Sequence, residues 1–165
     1  TDTHWNPFGA ELAAKEIAKV VKERDLLPSL GSSSYETKAG SVEPHKGDLL
    51  NFLPLGSLQG AIGPEFDGLE LFTTEQTSDS ESGGLFGDVS IPVTLVGTSY
   101  SANPKWNFEG ALKEALGTDV LNVADEGAGP VVPLKNYLEG NELETSPPEL
   151  VIWELPERFL QVSYE

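Results

Sequence analysis

The chain has 165 residues, 27 of them acidic against 10 basic, for a net charge of −17. That length suits one domain with a real core, and that charge repels phosphate backbones, so nucleic acid is not an expected partner. Cysteine is absent, which excludes disulfides, thiol nucleophiles and thiolate metal sites, and no apolar run approaches a membrane span, so the sequence reads as soluble.

The first predicted element is a helix. Asn6 caps it, Pro7 fits its first turn, and apolar residues recur at Ala13, Ile17, Val20 and Val21 before the pattern fades at Arg24–Pro28. A block from about Pro28 to Ser90 follows, rich in Gly, Ser and Pro. There "GSSSYETKAGSVEP" and "TEQTSDSESGG" read as loops, and "GDLLNFLPL" reads as a short helical piece. The last block is regular. "IPVTLVG" is a strand, "WNFEGALKEAL" a helix, "DVLNVADEG" a strand, "PLKNYLEG" a helix closed by Gly140, and "ELVIWELP" a strand stopped by Pro156. Nearly continuous apolar strands alternating with helices predict an α/β fold with a parallel sheet, one domain over 1–165 with a loop-rich excursion at about 28–90. Chemistry in such sheets sits beyond the carboxyl ends of the strands, here "GTSYS", "ADEGAG" and "ELPER".

From Gly47 to Pro104 there is no Lys or Arg, while acids continue through the stretch. It reads as a solvated acidic face, because the closely spaced oxygens of a calcium loop are missing. Two histidines without cysteine or H-E-x-x-H leave little for a zinc site, so no metal is expected. "GAGP" is too short for a nucleotide cradle, and no cofactor is implied.

Ser99 in "VTLVGTSYS" stands just past a strand and before a helix. Free N–H groups and the helix dipole favour negative charge there, which suits an acyl-transfer nucleophile; a turn or capping serine fits the same position. Ser101 stands where G-x-S-x-G needs its second glycine, so the α/β-hydrolase elbow is not supported. A nucleophilic serine needs a base. His4 follows Asp2 by two residues, and in an extended segment such residues share a face, so the carboxylate can orient the ring. The pair can equally precede and cap the first helix. His45, in "EPHKGDLL", reads as a surface or loop residue.

Taken together, "TDTHWNPFGA", "GDLLNFLPL", "LFGDVSIPVTLVGTSYS", "NFEGALKEAL", "DVLNVADEGAGP" and "SPPELVIWELPERFL" resemble the alginate O-acetyltransferases of the AlgJ and AlgX type. The resemblance covers the chain except the loops around 31–43 and 55–82. It implies an SGNH-hydrolase-like sheet flanked by helices, a periplasmic location, Ser99 as nucleophile, His4 as general base and Asp2 as the orienting acid. For the oxyanion hole it implies a glycine N–H, from Gly127 or Gly129. The third strand end carries no asparagine, and Arg158 there either donates to the oxyanion or substrate or pairs with Glu154 or Glu157, the pairing being favoured. Members of the family carry strands of the same sheet ahead of the D-x-H motif, and methionine is absent even at position 1. The chain is therefore expected to lack the N-terminal part of its domain, leaving an exposed sheet edge.

The resemblance implies an enzyme that takes an acetyl group onto Ser99 and passes it to a hydroxyl of a secreted exopolysaccharide, alginate or similar, directly or through another subunit that holds the polymer. It also implies a membrane-embedded acyltransferase as the source of the acetyl group. The same triad would also serve an acetylesterase. A different class of reading is a non-catalytic acidic scaffold subunit of a polysaccharide acetylation complex. Lys105 and Arg158 are the bases near the strand ends, so binding of a long polyanion by this chain is expected to be weak.

Overall fold

The computed structural model describes residues 1–78, 91–161 and 163. Helix α1 spans Pro7–Glu23, with the Asn6 side chain accepting from the Gly9 N–H and Pro7 in the first turn. Ala10, Ala14 and Val21 are its buried face. Three parallel strands form the central sheet: β3 (Val93–Val96) in the middle, β4 (Val120–Asn122) on one side and β5 (Leu150–Trp153) on the other. β1 (Ser34–His45) and β2 (Asp67–Ser78), which precede them in the chain, form a separate antiparallel pair.

β3 is buried at every position, and its alternation assigns the two faces of the sheet. Val93 and Leu95 join the core built with α1 and with α4 (Phe108–Leu116). Thr94 points the other way, its hydroxyl 3.1 Å from the Tyr137 hydroxyl on α5 (Val131–Glu139). The core cluster of Ala10, Ala14, Leu95, Phe108, Leu112 and Leu116 therefore lies between the sheet and the α1/α4 layer. Leu112 is fully buried, and truncating such a leucine costs about 2–5 kcal/mol. α4 ends at Gly117, whose φ of 59° is the left-handed conformation that favours glycine. Gly140 also closes its helix, but in an extended conformation.

The 28–90 block departs from the sequence reading. "GSSSYETKAGSVEP" is not a loop: Ser34–His45 is a full strand, and its partner Asp67–Ser78 takes in Thr74–Ser78, the first part of the second expected loop. β1 is largely exposed, so neither face needs apolar residues and the alternation signal is weak. Long-range pairing holds it, with a register shift between Ala39 and Val42 at Gly40, where a Cβ would come 3.2 Å from the Leu71 carbonyl. "GDLLNFLPL" does form a short helix, a 3₁₀ turn over Asp48–Phe52, and the short helix α2 (Gln59–Ile62) follows it. The remainder of "TEQTSDSESGG", from residue 79, and "LFGDVS" lie outside the described residues.

Candidate active site

Asp2 opens the site with a local bond. Its Oδ1 accepts from the backbone N–H of His4 at 2.8 Å, the turn that aspartate makes with the residue two places on. The same oxygen lies 2.6 Å from Nδ1 of the His4 ring. Oδ2 lies 2.8 Å from Nε2 of His45 and accepts from the Asp48 N–H at 3.2 Å. Burial alone would push this carboxyl up. The four hydrogen bonds outweigh it, and they hold Asp2 well below the usual carboxylate range. An ionised carboxylate only accepts, so both imidazoles must turn an N–H toward it. For His4 that puts the proton on Nδ1 and leaves Nε2 free to accept.

His4 Nε2 is 2.7 Å from Ser99 Oγ. Ser99 sits at the first position of a four-residue helix, α3 (Ser99–Ala102), directly past β3. Such a position leaves its N–H without an intrahelical partner. The turn that presents it is held from β5: Glu154 Oε2 accepts from the Thr98 N–H at 2.8 Å, from Thr98 Oγ1 at 2.9 Å and from Ser101 Oγ at 3.1 Å. A Cβ at 97 would lie 2.6 Å from Glu154 Oε2 and 2.8 Å from Ser101 Oγ, so any side chain there would push aside the groups that hold the turn. Trp106 forms the floor. Its indole N–H donates to the Ser99 carbonyl at 3.1 Å, and its ring stacks on His4 at 5.4 Å between centroids. Asp2, His4 and Ser99 are thus brought together, with the Asp2 and His4 side chains 14% and 15% exposed.

The other expected residues are distributed differently. Arg158 does not pair with Glu154 or Glu157 among the described residues. Its Nη1 donates to the Tyr100 hydroxyl at 2.9 Å, and its guanidinium lies 5.2 Å from the Tyr100 ring centroid. Glu154, one of the two expected partners, is committed instead to Thr98 and Ser101. Tyr100 in turn donates to the Thr3 carbonyl and lies beside the His4 ring, 4.7 Å between centroids, so Arg158 reaches the site through it. Gly127 and Gly129 occupy the loop between β4 and α5 with φ of 77° and 69°, a conformation glycine adopts freely. Gly129 faces the Phe159 ring, and neither glycine hydrogen-bonds to Ser99 or His4 among the described residues.

His45 corrects the surface reading. It ends β1 with its side chain 14% exposed and touches Asp2 directly. A signal was available: the sequence holds only two histidines, and His45 stands two residues before "GDLL". Asp48 was missed as well. Its carboxylate accepts from the Thr3 N–H at 2.8 Å and from the Thr3 hydroxyl at 2.5 Å. Asp2, His4 and Asp48 offer ligand atoms within 4.8 Å of one another, a spacing a cation could use. Those atoms are already engaged: His4 Nδ1 with Asp2, Asp2 with its four donors, Asp48 with Thr3. The donor set fits a hydrogen-bonded triad better than a metal centre.

A profile of the family described as "SGNH hydrolase-like domain, acetyltransferase AlgX" matches residues 1–157. The probable alginate O-acetylase AlgJ of Pseudomonas fluorescens is 47% identical over 165 residues, which is all of this chain and 42% of that protein. The alginate biosynthesis protein AlgX of the same organism is 38% identical over 154 residues, 93% of this chain and 31% of AlgX. The chain therefore spans less than half the length of these curated relatives. Among solved structures, the O-acetyltransferase domain of Pseudomonas putida AlgJ superposes with a TM-score of 0.87 at 44% identity, covering 100% of this chain and 54% of the other. Pseudomonas aeruginosa AlgX follows with a TM-score of 0.72 at 32% identity, covering 93% and 36%. The parallel sheet with helices on both faces, the strand-end site and these matches agree, and the chain belongs to the AlgX-type family of SGNH hydrolase-like acetyltransferase domains.

Proposed function

We propose that this chain is the acyl-transfer domain of an O-acetyltransferase that acts on a secreted bacterial exopolysaccharide, alginate or a similar polymer, in the periplasm. The observation that carries the reading is the Asp2–His4–Ser99 line, 2.6 Å from carboxylate to ring and 2.7 Å from ring to hydroxyl. Such a line supplies a nucleophile, a base in the right tautomer and the acid that holds it.

The reaction runs in two halves. Ser99 Oγ attacks the acetyl carbonyl of the donor while its proton passes to His4 Nε2. The carbonyl oxygen gains the negative charge, and the Ser99 N–H, at the first position of α3, is our candidate to receive it. Gly127 or Gly129 is our candidate for a second backbone donor. The tetrahedral adduct collapses, the bond to the donor oxygen breaks, and that oxygen leaves with the proton from His4. In the second half a sugar hydroxyl gives its proton to His4 and attacks the acetyl-serine carbon. Collapse releases the acetylated sugar, and the proton returns to Ser99. Asp2 stays ionised throughout and stabilises the imidazolium that forms in each half.

The acetyl donor is presented by a membrane-embedded acyltransferase. Arg158 belongs on the acceptor side. It has no carboxylate partner among the described residues and lies one tyrosine ring away from His4, where a uronate carboxylate would meet a planar, bidentate donor. Another subunit holding the polymer would offset the repulsion set by a net charge of −17.

The test is labelling with a serine-directed fluorophosphonate and peptide mapping. Modification at Ser99 that disappears in His4→Ala supports the reading. Lack of any modification at Ser99 in a folded protein sinks it.

A further inference from the structure

Asp2 is shared by two imidazoles, and the triad uses only one of them. His4 holds Oδ1; His45 Nε2 is 2.8 Å from Oδ2, on the far side of the carboxylate. We propose that His45 is a positioning residue of the acyl-transfer machinery: it anchors the outer oxygen of Asp2, so that the inner oxygen stays on His4 Nδ1. This rests on the function proposed above.

The argument begins with freedom. Residues 1–6 precede α1 and carry no helix or strand of their own, yet they must place His4 against a serine 95 positions away. The torsion that turns an aspartate carboxylate is broad and roughly two-fold, so one occupied oxygen does not settle its orientation. Two donors on each oxygen do.

The outer donors come from a single turn, His45–Leu49, which grips the opening segment along its length. His45 and the Asp48 N–H hold Asp2, Asp48 holds Thr3 twice, and the Leu49 N–H donates to the Thr1 carbonyl at 3.2 Å. The contact is close enough to require glycine in the middle. A Cβ on Gly47 would fall 2.1 Å from the Thr1 carbonyl oxygen. His45 itself is placed by β1, whose last residue pairs with Asp67 at the start of β2. Its ring also meets the Trp106 indole edge-on at 5.4 Å, and the same indole stacks on His4. One aromatic floor and one carboxylate therefore fix both rings.

His45 does not contact Ser99, so it is not assigned a proton in the reaction. Its effect passes through Asp2. Outer partners that orient reactive histidines, best measured at metal sites, change activity by about 10–100-fold when removed. We expect His45→Ala to lower kcat on a small acetyl ester by about that factor, with KM moving far less, because the ester never touches His45. His45→Gln keeps an N–H donor and is expected to restore most of the loss.

The second readout is independent of turnover. A histidine Nδ1 proton bonded to an ionised carboxylate gives a far-downfield proton resonance. In His45→Ala the His4 resonance is expected to shift upfield or to broaden into exchange with water, and in His45→Gln to return. Failure of the proposed function would show as no acetyl-ester turnover in the wild type, and the resonance still decides the role of His45. The proposal is overturned if folded His45→Ala keeps wild-type kcat, or keeps the His4 resonance at its wild-type position. Should His45→Ala not fold, His45→Gln decides: a wild-type resonance and rate support the anchor, and a lost resonance in a folded protein overturns it.

Discussion

Replacing Asp2 by Asn probes the site with almost no change in shape. All the contacts of the Asp2 carboxylate are acceptor contacts: the His4 N–H and Nδ1 on one oxygen, His45 Nε2 and the Asp48 N–H on the other. Asparagine offers one oxygen and one NH₂ group, so one side must lose. If the NH₂ faces His4, the ring turns its bare Nδ1 toward it and the proton moves to Nε2. It then points at Ser99, and the base is gone. In either orientation the NH₂ also faces a backbone N–H, that of His4 inside or of Asp48 outside, which cannot change its proton. Where the orienting acid of a Ser-His-Asp triad becomes Asn, the wrong tautomer lowers turnover about 10⁴-fold. That corresponds to about 5 kcal/mol of transition-state stabilisation. The unpaired N–H adds about 1–3 kcal/mol of folding cost. The assay is the rate of acyl-enzyme formation with an activated acetyl ester, read beside a urea unfolding curve. A folded Asp2→Asn protein that keeps more than a tenth of the wild-type rate would refute the reasoning.

Ser99→Ala is expected to abolish acyl-enzyme formation while changing stability by about 1 kcal/mol or less, checked by intact mass and thermal melting. Asp2 has its pKa depressed in the fold, so its contribution to stability is fully present above the unfolded value of about 4 and is lost as pH falls toward the folded value. Urea midpoints of the wild type and Asp2→Asn should therefore converge as pH drops from about 6 to about 2; a constant gap would contradict the assignment. Gly97→Ala drives a methyl against Glu154 and Ser101, and is expected to cost about 1–3 kcal/mol and to misplace Ser99. Arg158→Ala should raise KM for oligouronate acceptors and leave the small acetyl ester unaffected, and equal effects on both would remove Arg158 from the acceptor site. Alginate oligomers are expected to bind the chain weakly, with affinity unchanged or slightly better as salt is added; tight binding at low salt that salt weakens would reveal a basic groove.

Where the chain buries itself, the sequence was readable. β3 is apolar because both its faces are covered, α4 shows helical spacing because one face packs on that sheet, and Asn6 with Pro7 announces α1. β1 was not readable, since an exposed strand with Ser, Lys and Glu has no apolar period and exists through its pairing with β2. That miss hid a second one. His45 enters the site only because β1 delivers it there, so a histidine assigned to a loop had no reason to meet Asp2. Arg158 and Glu154 failed for another reason. They stand four positions apart near one strand end, and proximity in sequence suggests a pair. The choice between Tyr100, Thr98 and Ser101 as partners depends on how β5 lies against β3. Asp2 and His4 were readable because their bond is local, made across two residues.

The most direct test of the account follows the acetyl group itself. The protein is mixed with an activated acetyl ester, quenched at intervals, digested and mapped by mass spectrometry, with and without alginate oligomers. The account predicts one acetyl group on Ser99, absent in Ser99→Ala and strongly slowed in His4→Ala, whose decay is accelerated by the oligomer as acetylated oligomer appears. A wild-type protein that never carries acetyl on Ser99, or a Ser99→Ala protein that acetylates the oligomer equally well, would contradict it.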